Sequence, residues 1–99
     1  MSDALRVESA AGGIRLSGRL GYGNAGADFT RVVSAVPRGL DVAADVSALE
    51  QADSATLAVL LACAAHAAAG GGAFTVRGAS AGLRALARLG EVEGLLGIA

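Results

Sequence analysis

The side chains able to do chemistry in this chain are few. One cysteine, Cys63, and one histidine, His66, stand three residues apart in an alanine-rich segment. On a helix they share a side. A nucleophilic pair also needs an orienting third group and a pocket, and this segment offers neither. One thiol and one imidazole do not make a zinc site. The chain has no lysine, which removes the lysine-bearing phosphate loop. Gly21-Tyr22-Gly23-Asn24-Ala25-Gly26 has the G-x-G-x-x-G spacing, but it follows a predicted hairpin, whereas a dinucleotide loop follows the first strand of a βαβ unit. It reads as a plain loop. No catalytic residue, cofactor or metal is expected.

The remaining oxygen-bearing cluster is Asp53-Ser54-Ala55-Thr56, ahead of a leucine-rich run. Two readings coexist there. Asp53 or Ser54 caps a helix by accepting from the free N–H groups of its first turn, worth about 1 kcal/mol. The same N–H groups and the helix dipole would also stabilise a phosphate on a hydroxyl presented at that end.

The elements that must hold this cluster follow from periodicity. Leu5-Arg6-Val7-Glu8 and Ile14-Arg15-Leu16-Ser17 alternate and flank Gly12-Gly13, which predicts a hairpin. Asn24 is a candidate cap for a helix whose face carries Phe29, Val32, Val33 and Val36, ended by Pro37 and Gly39. Leu40, Val42, Ala44 and Val46 alternate as a strand, with Leu49 just beyond. The second helix is expected to bury Leu57, Leu60, Leu61, Ala64, Ala65 and Ala68 and to stop at Gly70-Gly71-Gly72. Phe74 to Arg77 forms a strand. Ser80 caps a third helix that turns Leu83, Leu86 and Ala87 inward and Arg84 and Arg88 outward, and Gly90 stops it. The tail from Glu91 to Ala99 is expected to pack back without firm secondary structure. Helices alternating with strands imply parallel crossover units and the α/β class.

At 100° per residue, the side of the second helix opposite its leucines carries Ala55, Val59, Ala62, Cys63 and His66. That side has no formal charge beyond any protonated fraction of His66. Either an alanine-rich helix tolerates exposure there, or the side is a contact surface for another protein.

Composition bounds the rest. The 99 residues fit one domain, 1–99. Charged residues make up 17% of the chain, against about 25% in typical soluble domains. A net charge of −1 argues against a nucleic-acid partner. A lone cysteine forms no intramolecular disulfide and is compatible with a reducing cytosol. The first six residues lack a basic and then apolar leader, so no signal peptide is expected. Ser54 to Val76 is uncharged and long enough to span a bilayer. Its alanines, His66 and three glycines favour an amphipathic helix with a stop over direct membrane insertion.

Val42-Ala43-Ala44-Asp45-Val46-Ser47, then Asp53-Ser54-Ala55-Thr56-Leu57 and Val59-Leu60-Leu61, resemble the signature of STAS domains, the family of anti-sigma factor antagonists and sulfate-transporter tails. Ile14 to Gly18, Val76 to Ser80 and Leu83 to Leu89 extend the likeness to the MlaB-type subunits of phospholipid-transport ABC systems. The resemblance implies a single STAS domain with a small mixed sheet and helices mainly on one side. It implies a non-catalytic cytoplasmic accessory subunit that binds the transporter ATPase and sits peripheral to the inner membrane, in a system serving outer-membrane lipid asymmetry. Ser54 would take the family's hydroxyl position, and Ala55, Thr56, Val59, Ala62, Cys63 and His66 the partner contact. Thr56 stands where the family usually has glycine, which implies a locally altered partner surface. The alternative implied role is an anti-sigma factor antagonist, a phosphoswitch in which a serine kinase anti-sigma factor modifies Ser54.

Overall fold

The computed structural model describes residues 4–10, 12–21, 23–50 and 52–98. Its elements run β1 (Arg6–Ala10), β2 (Gly13–Gly18), α1 (Ala25–Ser34), β3 (Val42–Leu49), α2 (Ser54–Ala69), β4 (Phe74–Arg77), α3 (Ala81–Leu89) and α4 (Glu93–Leu96). The strands form one four-stranded sheet in the order β1-β2-β3-β4. β1 and β2 are the expected antiparallel hairpin, with Ala10 opposite Gly13. β2 pairs β3 in parallel, and β3 pairs β4 in parallel. Each parallel pair is joined by a helical crossover, as parallel neighbours require.

Alternation along the strands divides the sheet into two unlike faces. Ile14 and Leu16, Val42, Ala44 and Val46, and Phe74 and Val76 all point inward and are buried. Val32 and Val36 from the α1 segment, Leu60 and Ala67 of α2, Leu83 and Ala87 of α3 and Leu96 of α4 complete the same core. The helices therefore cover one face, and the sheet is mixed. The other face bears the alternate residues. Glu8 lies opposite Arg15, Arg15 opposite Asp45 and Asp45 opposite Arg77. One row across all four strands thus carries Glu, Arg, Asp and Arg.

Three expectations change. β3 begins at Val42 and runs through Leu49, leaving Leu40 exposed in the preceding loop. That loop lies hard against the turn after α2: a Cβ on Gly72 would sit 2.1 Å from the Leu40 carbonyl oxygen, so only glycine fits. Phe29 shares the apolar stripe of α1 in sequence but is 43% exposed, because α1 lies at the rim of the core and buries Val32 deeply, with Val36 buried just past its end. The tail is not irregular: Glu93–Leu96 forms a helical turn whose Leu96 is fully buried.

Candidate functional site

The Asp53 cluster sits at the start of α2, just past the carboxyl end of β3. Asp53 is the N-cap, and one of its carboxylate oxygens accepts from Ala55 N (2.9 Å) and Thr56 N (3.1 Å). Thr56 reaches back so that its Oγ1 accepts from Asp53 N at 3.1 Å. The pair is a capping box, with each side chain satisfying the other's backbone. The Thr56 hydroxyl also donates to the Leu20 carbonyl oxygen, which ties α2 to the loop leaving β2. That loop comes close: a Cβ on Gly21 would lie 2.7 Å from Asp53 Oδ2. Asn24 fastens the same loop. Its Oδ1 accepts from Gly21 N at 3.0 Å, and its Nδ2 donates to Arg19 O at 2.7 Å. Asn24 is the N-cap residue of α1, but its side chain makes no capping bond, because these loop contacts engage it.

This geometry resolves the roles within the cluster. Asp53 performs the capping. Ser54, the first helical residue, is exposed at the amino end of α2, where Asp53 already accepts from the N–H groups of Ala55 and Thr56. Thr56 is fully buried. Its side chain therefore faces the core and ties α2 to the loop after β2, so the partner-surface role expected of Thr56 is closed to it.

The expected orientation of α2 is overturned. Val59 (2% exposed) and Cys63 (0%), expected on the outward side, are core residues. The buried stripe is Thr56, Val59, Leu60, Cys63 and Ala67. At 100° per residue this lies roughly a third of a turn from the leucine stripe. The physical reason is that α2 is apolar on every side, so leucine content does not mark the core. The smaller Val59, Cys63 and Ala67 let the helix approach the sheet closely, while Leu57 and Leu61 stay half-buried. Of the other residues expected outward, Ala55, Ala62 and His66 are all half-buried and flank the open side. Spacing held the signal. Thr56, Val59, Cys63 and Ala67 recur at i, i+3, i+7 and i+11, starting from the residue a capping box turns back toward the chain.

Burial fixes the chemistry of Cys63. Desolvation pushes its thiol up from an ordinary 9.0 to about 12, so it is protonated at neutral pH. A buried, protonated thiol is not a nucleophile. Among the described residues, no group of three or more His, Cys, Asp or Glu side chains is placed to hold a metal ion.

The side of α2 that faces outward carries Ser54, Ala58, Leu61, Ala65 and Ala68. No acidic residue, lysine or arginine occurs anywhere in the helix. Its carboxyl-terminal half borders a groove of about 360 Å³, lined by Leu61, Ala64, Ala65, Ala68, Phe74 and Leu95 among others. Leu95 stands 66% exposed at the groove. Ala58, Ala65, Ala68 and Leu95 are exposed residues that the leucine-stripe reading missed, with Leu61 half-buried among them. No helix among the described residues is long and apolar enough to cross a membrane.

These features are a mixed sheet, an Asp-Ser start to α2 and an uncharged helix face. No curated protein matches the chain. The family model described as "Mlab, STAS domain" matches residues 4–97, nearly the whole length, and the chain belongs to that MlaB-type STAS family.

Proposed function

We propose that this domain is a non-catalytic accessory subunit that binds the ATPase of an ABC phospholipid transporter of the Mla type, on the cytoplasmic side of the inner membrane. STAS membership supports an accessory or regulatory role through protein–protein contact. The observation that carries the reading is the outward side of α2. It runs uncharged from Ser54 to the groove beside Leu95, on a chain whose charge is already sparse. A solvated helix face ordinarily carries Glu, Lys or Arg. An uncharged strip of exposed small residues around a half-buried leucine suits a contact surface. The proposed contact is Ser54, Ala58, Leu61 and Ala65, flanked by Ala55, Ala62 and His66.

Two substitutions separate contact from core. Ala65→Arg should leave the fold intact and abolish capture of the ATPase, because the guanidinium would be desolvated at the interface. Val59→Arg should unfold the domain, because its side chain lies in the core. The check is affinity capture from membrane extract with partners identified by mass spectrometry, alongside circular dichroism of each variant. Normal recovery of ATPase and permease by a folded Ala65→Arg protein would remove α2 from the interface.

A second reading has one observation in its favour: Ser54 is exposed at the amino end of α2. A kinase can reach it, and the helix dipole would stabilise the phosphate. Phosphate on Ser54 after incubation with ATP and a captured serine kinase would support the phosphoswitch. Its absence would leave the transport reading alone.

A further inference from the structure

The sheet face away from the helices is open, and its central row is ordered by charge. Glu8, Arg15, Asp45 and Arg77 are register partners, so their side chains leave the same face in line, one per strand. The signs alternate: minus, plus, minus, plus. Among the described residues, no ion pair joins any two of the four. The Asp45 carboxylate instead accepts from Ser47 N at 2.9 Å and Ser47 Oγ at 2.7 Å. Glu8, Arg15 and Arg77 are exposed. The neighbouring row is Ala10, Gly13, Ala43 and Thr75, and Arg6 opposite Ser17 lies on the other side, where the register with β3 shifts so that Ser17 pairs Ala48. Among the described residues of these neighbouring rows, the side chains that border the charges are small apart from Arg6 on the edge strand.

An alternating row with an even number of members has a particular symmetry. Reversed end for end, it presents the opposite sign at every position. A two-fold axis between Arg15 and Asp45, parallel to the strands and lying in the interface, performs that reversal. It sets Glu8 against Arg77 of a second copy and Arg15 against Asp45 of that copy, each contact occurring twice. A row of odd length would set like on like.

We propose that this face is a self-complementary docking surface and that its occupant is a second copy of this chain, packed sheet to sheet across a two-fold axis. Strands about 4.8 Å apart and about 3.3 Å per residue give a face on the order of 300 Å² per copy. That is well below the roughly 800 Å² per partner of a standard stable interface. The dimer is therefore weak, with a dissociation constant in the micromolar range or above, and it dissociates further as salt screens the charges.

The test is sedimentation velocity on the full chain with a charge swap between the edge strands. Glu8 and Arg77 are three strands apart, about 14 Å, too far to compensate each other within one chain. Glu8→Arg alone and Arg77→Glu alone each set like charges together twice in the dimer, and each should weaken it at least about tenfold. The double variant Glu8→Arg/Arg77→Glu reads plus, plus, minus, minus along the row. Within one chain this is worse than the parent, because like charges become neighbours. Across the two-fold axis it is again fully complementary, so dimerisation should return to near the parental level. A role confined to sheet stability predicts the opposite, with the double variant worst of all. A parent chain that stays monomeric at several hundred micromolar in low salt would overturn the proposal. So would a double variant that associates no better than the singles. Either result would leave the face to solvent or to a different protein.

Discussion

Thr56 is the residue on which the start of α2 turns. Its hydroxyl joins the Asp53 N–H and the Leu20 carbonyl, both backbone groups at a buried junction. Thr56→Val keeps the shape and removes both bonds. The orphaned groups should cost about 1–3 kcal/mol, read as a lower urea midpoint at unchanged slope. Cys63 gives a pH signature. Its folded thiol ionises near 12 instead of the ordinary 9.0, so the neutral form is favoured in the fold. Because the folded value is raised, the stability this contributes is fully present below pH 9 and declines as pH rises toward 12. Cys63→Ala lacks that dependence. The stability gap between parent and Cys63→Ala, measured by urea unfolding at pH 8 and pH 10, should narrow at the higher pH. At this scale the sequence was legible where a short-range rule applied, as with Ser80 accepting from Leu83 N; it left the cap of α2 between Asp53 and Ser54, and the structure gives it to Asp53. The sequence reading put Thr56 on the partner surface and missed its burial, because the partner that draws the side chain inward, Leu20, is 36 residues away.

Among the elements, the end of α3 departs from the simplest glycine rule. Gly90 has ordinary right-handed backbone (φ −86°), and the left-handed residue is Glu91, at φ 56°. Val92 N bonds Ala87 O and Glu91 N bonds Arg88 O, the paired closure of a Schellman motif. The glycine therefore stands one position early. Glu91→Gly should stabilise the domain by up to about 1 kcal/mol, visible as a higher thermal midpoint. Gly90→Ala should be tolerated, since an added Cβ would meet nothing closer than 3.6 Å. α4 is short but not dispensable. Leu96 is fully buried in the shared core, and Leu96→Ala should cost about 2–5 kcal/mol by urea unfolding. Helix existence and order were legible from periodicity. The rotation of α2 was not, because a helix apolar on all sides gives its neighbours several faces to choose from. Tertiary packing chose the one with the smallest side chains.

For the whole molecule, strand alternation was the most readable signal. By position along the chain alone it separates Ile14, Leu16, Val42, Ala44 and Val46 from Arg15, Asp45 and Ser47, and the sheet places the two groups on opposite faces. What alternation could not supply is which strands are neighbours. The charge row exists only because β1, β2, β3 and β4 lie side by side in that order. Sequence order and spatial order coincide, and no strand is inserted between two that are already paired. During synthesis each new strand can therefore add to the edge that the previous one has just completed. The ribosome delivers the sheet in the order in which it can be assembled, with α4 closing the core once the fourth strand is in place.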